Sequence, residues 1–171
     1  MRSLKGCLLL LVCLEGAPLL AQSDAPECQI VPGLELSLQG NAGCLIKIDD
    51  RMLVVRHCQT NRLSPPGGTA AEGETAQCTA HRETLEETGV EVKVRKLLKS
   101  FDNQFHLFHC LAVDEVTELQ VPEPFRHEIC EILFLNPAVS SDEDWRFPEQ
   151  LPGIGDAFKR ISNQQSKPSF K

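Results

Sequence analysis

The chain has no tyrosine and a single tryptophan, Trp145, so stacking against a planar ligand would fall to Phe101, Phe105, Phe108, Phe125 or to histidines. Positive charge is also scarce. Seventeen Lys and Arg face 24 Asp and Glu in 171 residues, a net charge of −7 and a pI of about 5.2. A chain this acidic repels polymeric phosphate, which excludes a nucleic-acid polymer bound through a broad basic face. Small phosphorylated ligands stay open, because a divalent cation can bridge carboxylates to phosphate oxygens. No two cysteines stand at CxxC spacing, which argues against a zinc site. No stretch is long and apolar enough to cross a bilayer core, which takes about 20 residues in a helix. Internal repeats and low-complexity tracts are absent too.

The N-terminus reads as an address. Arg2 and Lys5 give a positive start, Cys7 to Leu14 is an unbroken apolar run, and Glu15, Gly16 and Pro18 end it. That pattern fits a secretory signal peptide over residues 1–23, with a buried N-terminal helix as the alternative. Ala21-Gln22-Ser23 offers small residues for cleavage after Ser23, or after Ala21. Losing Arg2, Lys5 and Glu15 leaves 15 basic and 23 acidic residues, a net −8, in a single domain over 24–171. The expected compartment is the periplasm or the extracellular space, with no stable membrane insertion after cleavage.

Six cysteines remain: Cys28, Cys44, Cys58, Cys78, Cys110 and Cys130. An even number behind an export signal points to disulfides, with free buried cysteines as the alternative. Six cysteines allow 15 complete pairings, and the sequence does not choose among them. A bond from Cys78 to a loop cysteine such as Cys58 is one expectation.

Local patterns give a mixed α/β chain. An edge strand is expected around Leu34 to Leu38. Cys44 to Ile48 and Met52 to Val55 read as a hairpin about Asp49-Asp50-Arg51, and residues 57–73 as a loop rich in Pro and Gly. Glu74 to Thr88 contains no Pro or Gly and reads as a helix ended by Gly89. Extended segments follow at Val90–Leu98, Gln104–Val113 and Ile129–Leu135. Residues 136–153 read as loop, and Gly155–Asn163 as a short last helix.

The chemistry concentrates in GGTAAEGETAQCTAHRETLEETGV, residues 67–90. Glu83, Glu86 and Glu87 stand at i, i+3 and i+4, so three carboxylates crowd one helical turn. Such a face repels itself unless a counter-charge is supplied, and Mg²⁺ and Mn²⁺ prefer oxygen ligands. Ala76 and Thr79 share roughly that azimuth and would leave room for ions and phosphates. Gly67-Gly68 lets the backbone approach and aim a carbonyl at a cation. Glu74 at the helix start would be stabilised by free N–H groups, and Arg82 can orient carboxylates through its fork. A solvated acidic face is the bland alternative.

These residues resemble the signature of the Nudix family, G-x5-E-x7-R-E-U-x-E-E-x-G-U with U a bulky aliphatic. Gly68, Glu74, Arg82, Glu83, Glu86, Glu87 and Gly89 fill the seven fixed positions, and Val90 the last aliphatic one. Thr84 departs from the first aliphatic position. The resemblance implies an α/β/α sandwich with a mixed sheet over about residues 40–136. It also implies hydrolysis of a diphosphate linkage in a nucleoside diphosphate derivative or related organic pyrophosphate, with Mg²⁺ or Mn²⁺. By that resemblance Glu83, Glu86, Glu87 and the Gly67 carbonyl bind metal, Glu83 is a candidate base, and Gly68, Glu74, Arg82 and Gly89 support them. A further glutamate from a later loop is common in the family. Glu128 lies in a comparable place, as ligand or base, with Glu131 and Glu115 as weaker candidates. His127, His106 and His109 could contact substrate. A homodimer is compatible with the family. A catalytically silent ligand-binding module and a Ca²⁺-binding secreted protein are the alternatives. The first is disfavoured by the complete set of motif glutamates, the second by the lack of EF-hand spacing.

Overall fold

Alternation along the strands decides the architecture. In β1 (Ala42–Leu45) Ala42 and Cys44 point to one side and Leu45 to the other, and all are buried, so this strand needs cover on both faces. The computed structural model describes residues 27–162; the expected signal peptide and its cleavage site lie outside the described residues. Chain order continues with β2 (Lys47–Ile48), β3 (Arg51–His57), β4 (Leu63–Ser64), β5 (Gly67–Gly68) and α1 (Ala76–Thr88). Then come β6 (Val92–Ser100), β7 (His106–Ala112), β8 (Ile129–Leu135) and α2 (Leu151–Arg160). One mixed sheet has the order β5-β1-β7-β6, with β1 parallel to β7. In a second sheet β3 pairs with β2, β4 and β8, all antiparallel.

Two apolar clusters fill the sandwich. Ala76 and Ala80 of α1 pack with Ala42, Cys44, Leu53, Phe108 and Cys110 on one side. Leu151, Ile154, Ala157 and Phe158 of α2 pack with Leu45, Met52, Val54, Leu107 and Trp145 on the other. The expected α/β/α sandwich with a mixed sheet is therefore the observed one. Thr84 is fully buried, but its hydroxyl donates to the Ala80 carbonyl at 2.7 Å, so the departure from an aliphatic residue leaves no orphaned polar group.

Several boundaries differ from expectation. Leu34–Leu38 forms no strand; the N-terminal leader of the domain, residues 27–41, is held instead by single bridges, Ile30 to Val94 and Gln39 to Thr75. The strand expected at Cys44–Ile48 is split at Ile46, because the chain passes there from one sheet to the other. The 57–73 loop contributes two short strands: β4 folds back on β3 as a tight hairpin, and β5 pairs with the more distant β1. Helix α1 starts at Ala76, with Thr75 rather than Glu74 as its cap, and Thr75 Oγ1 accepts from the Cys78 N–H at 3.3 Å. Helix α2 starts at Leu151, ahead of Gly155. Pro152 is tolerated in a first turn, and Leu151, Ile154 and Phe158 form a stripe that outweighs two glycines.

The cysteines pair as Cys28–Cys78, Cys44–Cys110 and Cys58–Cys130. The expected Cys58–Cys78 bond is thus wrong. Cys78 faces the N-terminal leader across the outer side of α1, while Cys58 leaves β3 beside the start of β8. Each bond closes 50 to 72 residues, a span for which loop entropy alone gives about 4 kcal/mol. Peptide mapping without reduction should recover these three links. Recovery of a 58–78 link would contradict the fold at both ends.

His109 is buried, and burial followed by the charges of Arg95 and Lys96 lowers it to about 4. The unfolded chain therefore takes up a proton near 6.5 that the folded chain refuses, so stability falls as pH drops from about 6.5 towards 4. The loss from this one group is on the order of 3 kcal/mol. Urea unfolding of His109→Gln at pH 7.5 and 4.5 should show a smaller acid loss than the parent; an equal loss would contradict this assignment.

Candidate active site

The glycine pair positions the first part of the site. Gly67 and Gly68 pair antiparallel with Gly43 and Ala42, which leaves the Gly67 N–H free to donate to Glu87 Oε2 at 2.8 Å. A Cβ on Gly68 would lie 2.5 Å from the Glu83 carboxylate carbon, and one on Gly67 2.5 Å from the Ala42 carbonyl oxygen. Neither position admits a side chain while the glutamates stay where they are. At the other end Gly89, at φ +69°, returns its N–H to the Leu85 carbonyl at 2.8 Å and stops the helix just past Glu87.

Arg82 organises the carboxylates. Its Nε and Nη2 donate to Glu74 at 3.0 and 2.9 Å, and its Nη1 to Glu83 Oε1 at 2.9 Å and Glu86 Oε2 at 3.0 Å. The counter-charge that this turn needs is therefore supplied in large part by one guanidinium. Those bonds, Glu74's first, raise the Arg82 pKa further against its burial. Glu74 does not use the free N–H groups of the helix. It accepts from Arg82, from the Ala71 N–H at 2.9 Å and from Thr79 Oγ1 at 3.0 Å. Burial alone would raise Glu74, but these bonds hold it below its ordinary value. Ala76 and Thr79 are fully buried, so they pack the helix down rather than leave room for ligands.

Glu87 is outside the reach of this fan. It is 3% exposed and faces Glu83 and Glu128, with the Gly67 N–H as its hydrogen-bond donor. Burial pushes its carboxyl up to about 8 despite that N–H, and the two neighbouring carboxylates add to the rise. Burial likewise raises Glu83, against the pull of Arg82. The charge of Arg146 offsets the rise at Glu87 only in part, and a divalent cation is the chemical species that oxygen donors so placed would accept.

Across the cleft the structure brings together residues that local sequence patterns do not relate. The ladder between β3 and β8 has an irregularity between Arg56 and His57, after which His57 aligns with Ile129. The Cys58–Cys130 bond and a Cys58 N–H to Glu128 carbonyl bond of 2.8 Å fix the crossing. One ligand atom each from His57, Glu87 and Glu128 lies within 4.8 Å of the others. Arg146 stands nearby, its Nη1 3.4 Å from His57 Nε2, and Ser64 Oγ pairs with the same nitrogen at 2.8 Å. Burial, then the Arg146 charge, lowers His57 to about 4, so its ring is neutral near neutral pH. His57, Gln59, Thr60, His127, Glu128 and Arg146 line a cavity of about 250 Å³.

Of the residues expected from the sequence, Glu128 and His127 reach this cleft. Glu131 does not, since it pairs with Arg56 at 2.7 Å, and Glu115 lines a different cleft with Leu85 and Gly89. His106 and His109 are buried within β7, His106 Nδ1 being paired with Ser100 Oγ at 2.9 Å. Phe108 is core, and Phe101 and Phe105 pack against the α2 cluster, their rings 6.4 Å apart. Phe125 is half-buried in the short turn before Glu128. His57 and Arg146 were missed. The one local hint was a histidine ending an apolar strand, and Arg146 carried none.

Comparison with known proteins gives a consistent result. The NUDIX domain model matches residues 38–151. A MutT-like protein from Streptomyces ambofaciens is 34% identical over 62 residues, 36% of this chain. The chain spans only 40% of that relative's length. Among solved structures, a UDP-X diphosphatase aligns with a TM-score of 0.59 at 21% identity, over 80% of this chain and 70% of its own. A NUDIX hydrolase from Nitrosomonas europaea has a TM-score of 0.59 at 18% identity, over 81% and 83%. An ADP-ribose pyrophosphatase from Streptococcus suis has a TM-score of 0.57 at 18%, over 74% and 95%. With the domain model covering well over half of its length, the chain belongs to the Nudix family.

Proposed function

We propose that the protein hydrolyses a diphosphate linkage in a nucleoside diphosphate derivative or related organic pyrophosphate, with Mg²⁺ or Mn²⁺, outside the cytoplasm. The observation that carries this reading is Glu87: a buried carboxylate facing two others, with a backbone N–H and no cationic side chain bonded to it. Glu83, Glu86 and Glu87 would hold the cation, joined by the Gly67 carbonyl. When bound, it neutralises phosphate charge and lowers the pKa of a water molecule.

The chain's own groups supply the rest. Arg82 keeps Glu83 and Glu86 aimed in one direction, and Glu74 anchors Arg82 from behind. Glu128 is the proton acceptor we favour over Glu83. Glu83 Oε1 is taken by Arg82, whereas no described side chain bonds to the Glu128 carboxylate, which is exposed at the cleft mouth. Arg146, Gln59, Thr60 and His127 offer polar contacts in the adjoining cavity, where a phosphorylated group would fit. The names of two fold neighbours, UDP-X diphosphatase and ADP-ribose pyrophosphatase, suit this substrate class. Export is supported by three cysteine pairs at bonding distance, as expected where thiols are oxidised.

A panel of nucleotide sugars, ADP-ribose and dinucleoside polyphosphates, assayed with each ion for monophosphate products, tests the activity. Hydrolysis of at least one compound is expected; none with either ion would overturn the reading. Glu87→Gln should lower kcat by a hundredfold or more and weaken cation binding. Glu128→Gln should lower kcat by about 10²–10⁴-fold while cation affinity moves less than about tenfold. A Glu128→Gln enzyme with parental kcat would move the proton acceptor to Glu83.

A further inference from the structure

The family signature is read with oxygen donors alone, yet the cleft holds an imidazole. His57 is 5% exposed, and one of its ring nitrogens comes within 4.8 Å of the ligand atoms of both Glu87 and Glu128. Donors on one ion at bond lengths of about 2.1 Å lie roughly 3 to 4 Å apart, so small side-chain adjustments would bring the His57 nitrogen and a Glu87 oxygen onto one ion while Glu128 stays beside it to take a proton. The ring is also held as ligating histidines usually are. Ser64 Oγ pairs with Nε2 at 2.8 Å; in the tautomer in which Nε2–H donates to that hydroxyl, Nδ1 keeps its lone pair for a ligand. A bond of that kind orients a ligating ring. The backbone is committed as well, since the irregularity after Arg56 and the Cys58–Cys130 bond hold His57 against Glu128.

We infer that His57 is a nitrogen ligand of the divalent cation held by Glu87, so that this site selects a transition ion such as Mn²⁺ over Mg²⁺. Affinity for a site with a nitrogen donor rises along the first-row ions from Mn²⁺ onward, whereas Mg²⁺ keeps to oxygen and sheds its waters reluctantly. Arg146 faces His57 from the segment before α2, at 3.4 Å from Nε2. A guanidinium only donates, so it opposes the tautomer with hydrogen on Nε2, and a cation on Nδ1 is what favours that tautomer. The inference rests on the metal-dependent reading above, and it assigns an ion preference that the motif glutamates alone do not fix.

The test uses the full disulfide-bonded chain, stripped with EDTA and titrated with Mn²⁺ and Mg²⁺. Pulsed electron paramagnetic resonance of the bound Mn²⁺ should show ¹⁴N coupling. The coupling should persist in His127→Gln and vanish in His57→Gln, whose ratio of Mn²⁺ to Mg²⁺ affinity should fall roughly tenfold or more. The parent spectrum needs no variant, so misfolding of His57→Gln leaves the proposal decidable. Bound Mn²⁺ without ¹⁴N coupling, coupling lost in His127→Gln, or an unchanged affinity ratio in a folded His57→Gln would overturn the His57 assignment while leaving the hydrolase reading intact. Failure of the parent to bind either ion would overturn both.

Discussion

The arrangement depends on how one guanidinium is shared. Arg82 donates to Glu74, Glu83 and Glu86, and in doing so fixes two motif glutamates that would otherwise repel each other across a single turn. Glu87 lies beyond its reach, buried and bonded only to a backbone N–H. The acidic turn is therefore a cluster that Arg82 holds only in part: Glu87 is left as a buried carboxyl whose raised pKa keeps it protonated near neutral pH until a cation takes the proton's place. A fully neutralised cluster would be structural. A wholly unpaired one would strain the helix that carries it.

Everything around that point serves to keep it in place. The glycine pair brings β5 against β1 and directs its N–H at Glu87. Small residues on α1, Ala76, Ala80 and Thr84, let the helix lie close to the sheet. Disulfides brace the same region from three sides. Cys28–Cys78 fastens the leader over the outer face of α1, Cys44–Cys110 joins adjacent strands beneath it, and Cys58–Cys130 clamps the far wall. The bracing suits a domain that works where no reducing pool protects or repairs it.

The fold class was legible because its strongest elements are local. The helix shows itself through a run without Pro or Gly ended by Gly89, and β8 through an apolar run ended before Pro137. The motif half of the site was legible for the same reason, since all seven residues belong to one loop and one helix. What was not legible is long-range. The two-residue strand β5 exists only because the distant β1 pairs with it, and the cysteine partners lie 50 to 72 residues apart. His57 and Arg146 are separated by 89 residues and meet only through tertiary structure. The role first given to Glu74, at the helix terminus, failed because Thr75 caps the helix and Glu74 turns instead to Arg82. A side-chain partner eight residues away outcompeted the dipole.

The central claim is that Glu87 and its neighbours gather a divalent cation. Crystals grown with MnCl₂ and measured on both sides of the manganese edge address it directly. The account predicts an anomalous peak against the Glu87 carboxylate, on the side facing Glu83 and Glu128. A map with no peak there, while Arg82 still bridges Glu83 and Glu86, would contradict it.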